Sequence, residues 1–169
     1  MTEGENARLP EGFADRVNQV GGELLAPGLD ELPCARIASD RLIEFMESLK
    51  DGPGLCFEML TDVCSVDEYD EDPRFDVIYH ARSLETGDVV RIKVHAQGDP
   101  PTVPSLVDLY PTADWHEREV FDMMGIHFEG HPDLRRILMP LEYEWHPLRK
   151  DFPLEGVAPD KLYKRQYPD

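Results

Sequence analysis

Three carboxylates, Glu117, Glu119 and Asp122, fall on one charged stretch, and three histidines, His127, His131 and His146, follow it. These are the residue types of general acid–base and metal chemistry. Carboxylates on a helix, however, are mostly surface or ion-pair residues, and catalytic duty requires a cleft and a perturbed pKa. The spacing His127-x3-His131 would bridge a metal only on a helix. It lies beyond a helix-ending glycine, Gly125, and His131 precedes Pro132. No third ligand stands at motif spacing, and Cys34, Cys56 and Cys64 form no C-x-x-C pair. No G-x-S-x-G elbow, phosphate loop or G-x-G-x-x-G run occurs. The competing enzyme reading is therefore a free metal-dependent enzyme using His127, His131 and a nearby carboxylate.

The cations are the second chemical feature. Two phrases echo each other, His131-Pro132-Asp133-Leu134-Arg135-Arg136 and His146-Pro147-Leu148-Arg149-Lys150-Asp151. Arginine forks suit carboxylate pairs, and arginine with aromatics makes interface anchors. Tyr143, Trp145 and Phe152 supply the aromatics, while Pro140, Pro147 and Pro153 stiffen an extended chain. The reading is an interface strap, with Arg135, Arg136, Arg149 and Lys150 meeting acidic groups of a partner. A tail folded back on its own domain is the bland alternative.

Asp114 and Glu117 form a capping-box-like pair for a helix running to Met124. At about 100° per residue, Val120, Phe121, Met123 and Met124 share an apolar face. Trp115, Arg118, Glu119 and Asp122 cover the other, with Arg118–Asp122 as an i,i+4 ion pair. Glu117 falls inside the apolar arc and needs a partner there or a proton. Arg135 or Arg136 is the expected partner.

Upstream, Phe13, Val17 and Val20 mark a short helix closed by Gly21-Gly22, and residues 1–11 look frayed. Short strands are expected at Leu24-Leu25 and at Cys34–Ala38. Ser39 is placed to cap a helix from Asp40 to Lys50, whose inward stripe is Leu42, Ile43, Phe45, Met46 and Leu49. Three longer strands are expected at Leu55–Val66, Phe75–Ser83 and Val89–Ala96, the last two joined by a turn at Thr86-Gly87-Asp88. The acidic run Asp67–Asp72 reads as a solvated loop, and Pro100, Pro101 and Pro104 break the chain before a cap at Ser105. The fold class is α+β: a small, mainly antiparallel sheet with helices packed on it, followed by an extended C-terminal segment. The expected division is a domain over 1–125 and an interaction segment over 126–169.

The 169 residues carry a net charge of −18. Of 17 Lys+Arg and 35 Asp+Glu, 8 and 11 lie in residues 115–169, so the acidity is concentrated in the head. That argues against nucleic acid and against an anionic lipid surface. No stretch approaches the ~20 apolar residues of a membrane span, and Met1–Asn6 is neither a signal nor a transit peptide. A cytosolic or peripheral protein with reduced, buried cysteines follows as the expectation.

Read together, W-H-E-R-E-V-F-D-M-M-G-I-H-F-E-G-H-P-D-L-R-R-I-L (115–138) resembles the signature of the thirty-kilodalton subunit of respiratory complex I, the C-type subunit of bacterial NADH-quinone oxidoreductase. The likeness continues upstream through Arg74–Tyr79 and Val103–Leu106 and downstream through His146–Pro153, covering roughly residues 55–153. Glu144-Trp145 stands before His146 where many relatives show a glycine. The resemblance implies a peripheral subunit of the hydrophilic arm on the cytoplasmic face of the bacterial membrane. NAD, FMN, iron–sulfur clusters and quinone would serve the complex, with none bound by this chain. It implies as partner the forty-nine-kilodalton-type (D-type) subunit, beside other arm subunits. Glu117, Arg118, Glu119, Asp122, Gly125, His131, Pro132, Arg135 and Arg136 are then signature positions of structural and interfacial role. His146, Pro147, Arg149, Lys150 and Asp151 extend that interface. Related subunits serve ferredoxin- or hydrogenase-linked complexes, so the electron donor stays open.

Overall fold

The structure, a computed structural model, describes residues 9–52 and 54–156; most of the frayed N-terminus and the end of the expected interaction segment lie outside them. Alternation of apolar and polar residues makes the sheet. β3 (Met59–Asp67), β4 (Phe75–Arg82) and β5 (Val89–His95) form an antiparallel meander. β2 (Cys34–Arg36) joins β5 in parallel, and β1 (Glu23–Leu25) closes the edge, giving the order β1-β2-β5-β4-β3. Ala35, Val77, Tyr79, Ala81, Val90, Ile92 and Val94 line the core face. The α+β expectation holds, with one parallel pair inside a mostly antiparallel sheet.

Two helices cover one end of that face. α1 (Phe13–Gln19) buries Phe13 and Val17, and Phe13 meets Phe45 of α2 (Leu42–Asp51) edge to face. A single 3-10 turn, Ser39–Arg41, precedes α2, and no side chain caps either, so Ser39 does not serve as the cap. Ile43, assigned to the inward stripe, is 42% exposed; Leu42, Phe45, Met46 and Leu49 alone satisfy the core. The first of the three longer strands starts later than its apolar residues, at Met59. Leu55 and Phe57 reach the core from a loop in which Cys56 adopts positive φ. Cys34 is buried, Cys56 and Cys64 half-buried, and all three are free thiols.

A second, two-stranded sheet escapes the sequence pattern. β6 (Thr102–Pro104) pairs in parallel with β7 (His127–Glu129), across α3 (Ala113–Met124). Val103, Ile126 and Phe128 bury their side chains there. α3 packs along β3, the far edge of the main sheet. The acidic run after β3 is not uniformly wet: Asp67 is buried, while residues 68–72 are exposed.

Candidate functional site

α3 begins at Ala113 after Thr112, which makes no side-chain cap; Asp114 sits inside the first turn instead of capping it. Its inward face is as expected, with Val120, Met123 and Met124 buried and Phe121 half-buried. Half of the opposite face is covered: Arg118 is 7% exposed and Asp122 is 0%, while Trp115 and Glu119 stay exposed. Chain from His131 to Phe152 folds back over it as a strap.

Asp122 is the strap's main anchor. Its Oδ1 receives Arg136 Nη1 at 2.6 Å. Its Oδ2 receives the amides of Ile137, Leu138 and Met139 at 3.1, 2.8 and 2.9 Å. Burial alone would raise the Asp122 pKa, but the three amides and the guanidinium outweigh it and hold the carboxyl below its usual range. The expected Arg118–Asp122 pair therefore does not form. Arg118 turns the other way, donating Nε to the Arg135 carbonyl at 3.2 Å and lying 5.0 Å from the Trp115 ring centroid, with Asp114 3.9 Å away.

The strap also closes the end of the helix. The last four carbonyls of an α-helix have no partner within it. Here Phe121 O takes the Gly125 amide, and Asp122 O takes Arg136 Nη1 (3.1 Å) and His146 Nδ1 (3.0 Å). Met123 O takes the Leu148 amide (3.2 Å), and Met124 O takes Arg149 Nε (2.5 Å). Two guanidinium charges thus sit at the negative end of the helix dipole. Gly125 turns the chain at φ 71°, and a Cβ there would collide with the Arg149 guanidinium and the His146 ring. Position 125 needs glycine for conformation and for space. Burial holds the His146 pKa down, keeping the imidazole neutral beside two arginines.

His131 starts the strap. The Asp133 amide donates to its Nδ1 at 3.0 Å, so the proton sits on Nε2, facing the carbonyl (3.3 Å) and carboxylate (3.4 Å) of Asp114. With both ring nitrogens engaged and His127 exposed on β7, the His127–His131 pair does not converge. Among the described residues no cluster of three or more His, Cys, Asp or Glu is arranged to hold a metal.

Glu117 is fully buried, but not against the strap. Its Oε2 accepts from Ser105 Oγ at 2.6 Å and its Oε1 from the Leu106 amide at 2.7 Å. No arginine among the described residues reaches it, which overturns the expected pairing with Arg135 or Arg136: those face the other side of the helix, where Asp122 lies. Burial without a countercharge pushes the Glu117 carboxyl up to about 7, against the two hydrogen bonds that pull it down. The neighbouring Tyr79 hydroxyl is buried and unpartnered.

A second anchor lies at the end of β3. Asp67 receives both arms of Arg74 at 2.7 Å, the Tyr69 amide at 3.1 Å and the strap's Lys150 amide at 2.8 Å. The Arg74 fork, helped by the two amides, holds Asp67 down at about 2. Arg74 also bridges to Asp151 at 3.0 Å. Asp67, Arg74 and Ser105 were not among the candidate residues. Arg74 and Ser105 do lie in the short upstream segments of family likeness, the one signal that pointed to them.

Within each echoed phrase one cation turns inward and its neighbour outward: Arg136 and Arg149 in, Arg135 and Lys150 out. Glu119 and Pro132 are exposed, and Pro147 is half-buried. Tyr143 is buried against Trp145 and beneath Arg136. An open groove of about 800 Å³ beside β2 and β6 is lined by Arg36, His95 and Gln97 among others, with Glu129 its one residue from the signature stretch.

The sequence profile described as "Respiratory-chain NADH dehydrogenase, 30 Kd subunit" matches residues 35–158, most of the chain. The chain belongs to this family. A relative from Rhizobium etli (strain CIAT 652), the C-type subunit 2 of NADH-quinone oxidoreductase, is 47% identical over 156 residues, 92% of this chain and 79% of the relative. The C-type subunit of Phenylobacterium zucineum (strain HLK1) is 43% identical, over 85% and 72%. Among solved structures, the trypsin-resistant fragment (1-134) of Nqo5 superposes with a TM-score of 0.62 at 30% identity, covering 73% of this chain and 98% of the fragment. A chain of an archaeal membrane-bound sulfane sulfur reductase shares the fold, with a TM-score of 0.68 at 24% identity. As a member of this family, the chain has the other subunits of such a complex as partners. No helix among its described residues is long and apolar enough to cross a membrane.

Proposed function

We propose that this chain is a non-catalytic structural subunit of a proton-translocating NADH-quinone oxidoreductase. It sits on the cytoplasmic face of the bacterial membrane and braces the quinone-reducing module against a D-type subunit. The carrying observation is how the signature is used. Asp122, Gly125, Arg136, His146 and Arg149 hold one another around the end of α3, and Glu117 pins the turn after β6. Groups committed this way shape a surface and leave no activated acid, base or nucleophile facing a cleft. NAD, FMN, iron–sulfur clusters and quinone are handled by neighbouring subunits. The interaction segment after Gly125 presents Pro132, Arg135, Lys150 and Asp151, and α3 presents Glu119.

The test is to delete the gene in its host and restore it with a tagged copy. Membranes of the deletion strain are expected to lose NADH:quinone reductase activity, and the tagged chain to recover the D-type subunit on purification. Recovery of the chain alone, with unimpaired membranes in the deletion strain, would overturn the reading.

A further inference from the structure

The structure commits Arg136 and Arg149 to Asp122 and the carbonyls at the end of α3, which turns attention to the rest of the surface. At about 100° per residue, the strap covers the side of α3 that carries Arg118 and Asp122, and Leu148 is bonded through its backbone to Met123. Between those two borders runs an uncovered strip bearing Trp115 and Glu119. Trp115 is 64% exposed, and the leucines on the borders, Leu138 and Leu148, are 60% and 59% exposed.

These apolar groups are held, not loose. The Arg118 guanidinium lies against the Trp115 ring. Leu138 projects outward from three consecutive residues whose amides all bond Asp122 Oδ2, while its neighbours Ile137 and Met139 are half-buried. Leu141, past Pro140, is 72% exposed. Aromatic and aliphatic side chains on a pre-ordered backbone are what an interface hot spot requires, because little ordering entropy remains to be lost on binding.

The charge around the strip selects its occupant. Arg135 is neutralised by Asp133 at 2.8 Å, which leaves Glu119 as the strip's own charge, and the whole chain carries −18. A second copy laid on this face would bring like charges together. We infer that the face formed by Trp115, Glu119, Leu138 and Leu148 docks a neighbouring protein subunit through an apolar slot with a basic rim. The inference rests on the reading of the chain as a complex subunit and names the face that meets a neighbour. It also reverses the sign expected from sequence: the chain offers a carboxylate, and the partner supplies the cation.

The experiment uses the tagged full-length chain expressed in the deletion strain, as wild type, Trp115→Ala/Leu138→Ser, Glu119→Lys, and an Arg82→Glu control on β4. Partner recovery per tagged chain is measured by quantitative mass spectrometry, with thermal melts of each purified chain alone. The double variant and Glu119→Lys are expected to lose recovery about tenfold or more, with melts unchanged and the control like wild type. Should the double variant melt early, Leu148→Ser, at a side chain 59% exposed, replaces it. Undiminished recovery by these variants beside a working wild type overturns the face alone. Stronger recovery by Glu119→Lys overturns the basic rim. A purified wild-type dimer dissolved by Trp115→Ala would show that a second copy covers the face, and overturns the heterologous assignment. Failure of wild type to recover any other subunit overturns the parent reading as well.

Discussion

Glu117 and Asp122 stand five residues apart on one helix, yet their environments drive them in opposite directions. Glu117 meets only neutral donors in an apolar site, so its proton is retained to about pH 7, against 4.5 for the free side chain. A carboxyl raised in the folded state favours folding while protonated; its contribution is present below the unfolded pKa and lost as pH rises through about 7. The linkage amounts to about 3 kcal/mol at most. Denaturant titrations from pH 5 to pH 8 are expected to show wild type losing stability more steeply than Glu117→Gln; parallel curves would remove the assignment. Asp122 is the reverse case, a buried carboxylate with a guanidinium and three amides on it. Asp122→Ala would leave Arg136 and those amides unpaired, at a cost of about 3–5 kcal/mol, read from the denaturation midpoint. Part of this was legible from spacing, which put Glu117 where it needs a partner or a proton. Periodicity placed Glu117 correctly on the apolar arc but could not say that Ser105 and Leu106 lay across from it. It paired Arg118 with Asp122 on the polar face because their true partners come from the strap and not from their own helix.

At the scale of elements, α3 and the strap form one unit, joined at Gly125 and fastened again at Asp67. Gly125→Ala would demand positive φ from a residue with a Cβ and push that Cβ into His146 and Arg149. The cost is at least about 1 kcal/mol, and limited proteolysis is expected to cut within residues 131–152 before the sheet is attacked. Asp67 fastens the far end. Because its pKa is lowered, from 3.8 to about 2, its contribution is present above the unfolded value and lost as pH falls toward the folded one. Strap release in Asp67→Asn at pH 7, by the same proteolysis, should therefore mimic wild type near pH 2. Most elements could be read in advance: β4 and β5 alternate cleanly and their turn carries Gly87 at positive φ. β6 and β7 could not. Three residues each, one ending in Pro104, they pair only after α3 has carried the chain back.

For the whole molecule, the decisive quantity is charge. At −18, two copies repel over the range of the Debye length, about 10 Å at 0.1 M salt. The purified chain is expected to be monomeric by light scattering at low ionic strength, despite its exposed tryptophan and leucines. Its association with a basic-rimmed partner should slow as salt is raised, through the on-rate. A salt-independent on-rate would show the apolar contacts acting alone. The composition revealed the acidity, and the family signature revealed the setting. Which cations stay on the surface was hidden, because that depends on which arginines fold inward, and it is decided by carbonyls and carboxylates on a distant element.

The closure of the α3 carbonyls by Arg136, His146, Leu148 and Arg149 has a temporal consequence. These groups leave the ribosome after the helix they cap, and they have nothing to grip until that helix exists. The leucines beside Trp115 are therefore set in place last, once the sheet and α3 are formed. A nascent chain with residues up to 130 outside the ribosome should fold its core yet recruit no neighbour, whereas one with the strap to residue 152 outside should recruit it, a difference that ribosome-bound chains carried on linkers spanning the exit tunnel would reveal. Recruitment is in this way reserved for finished molecules.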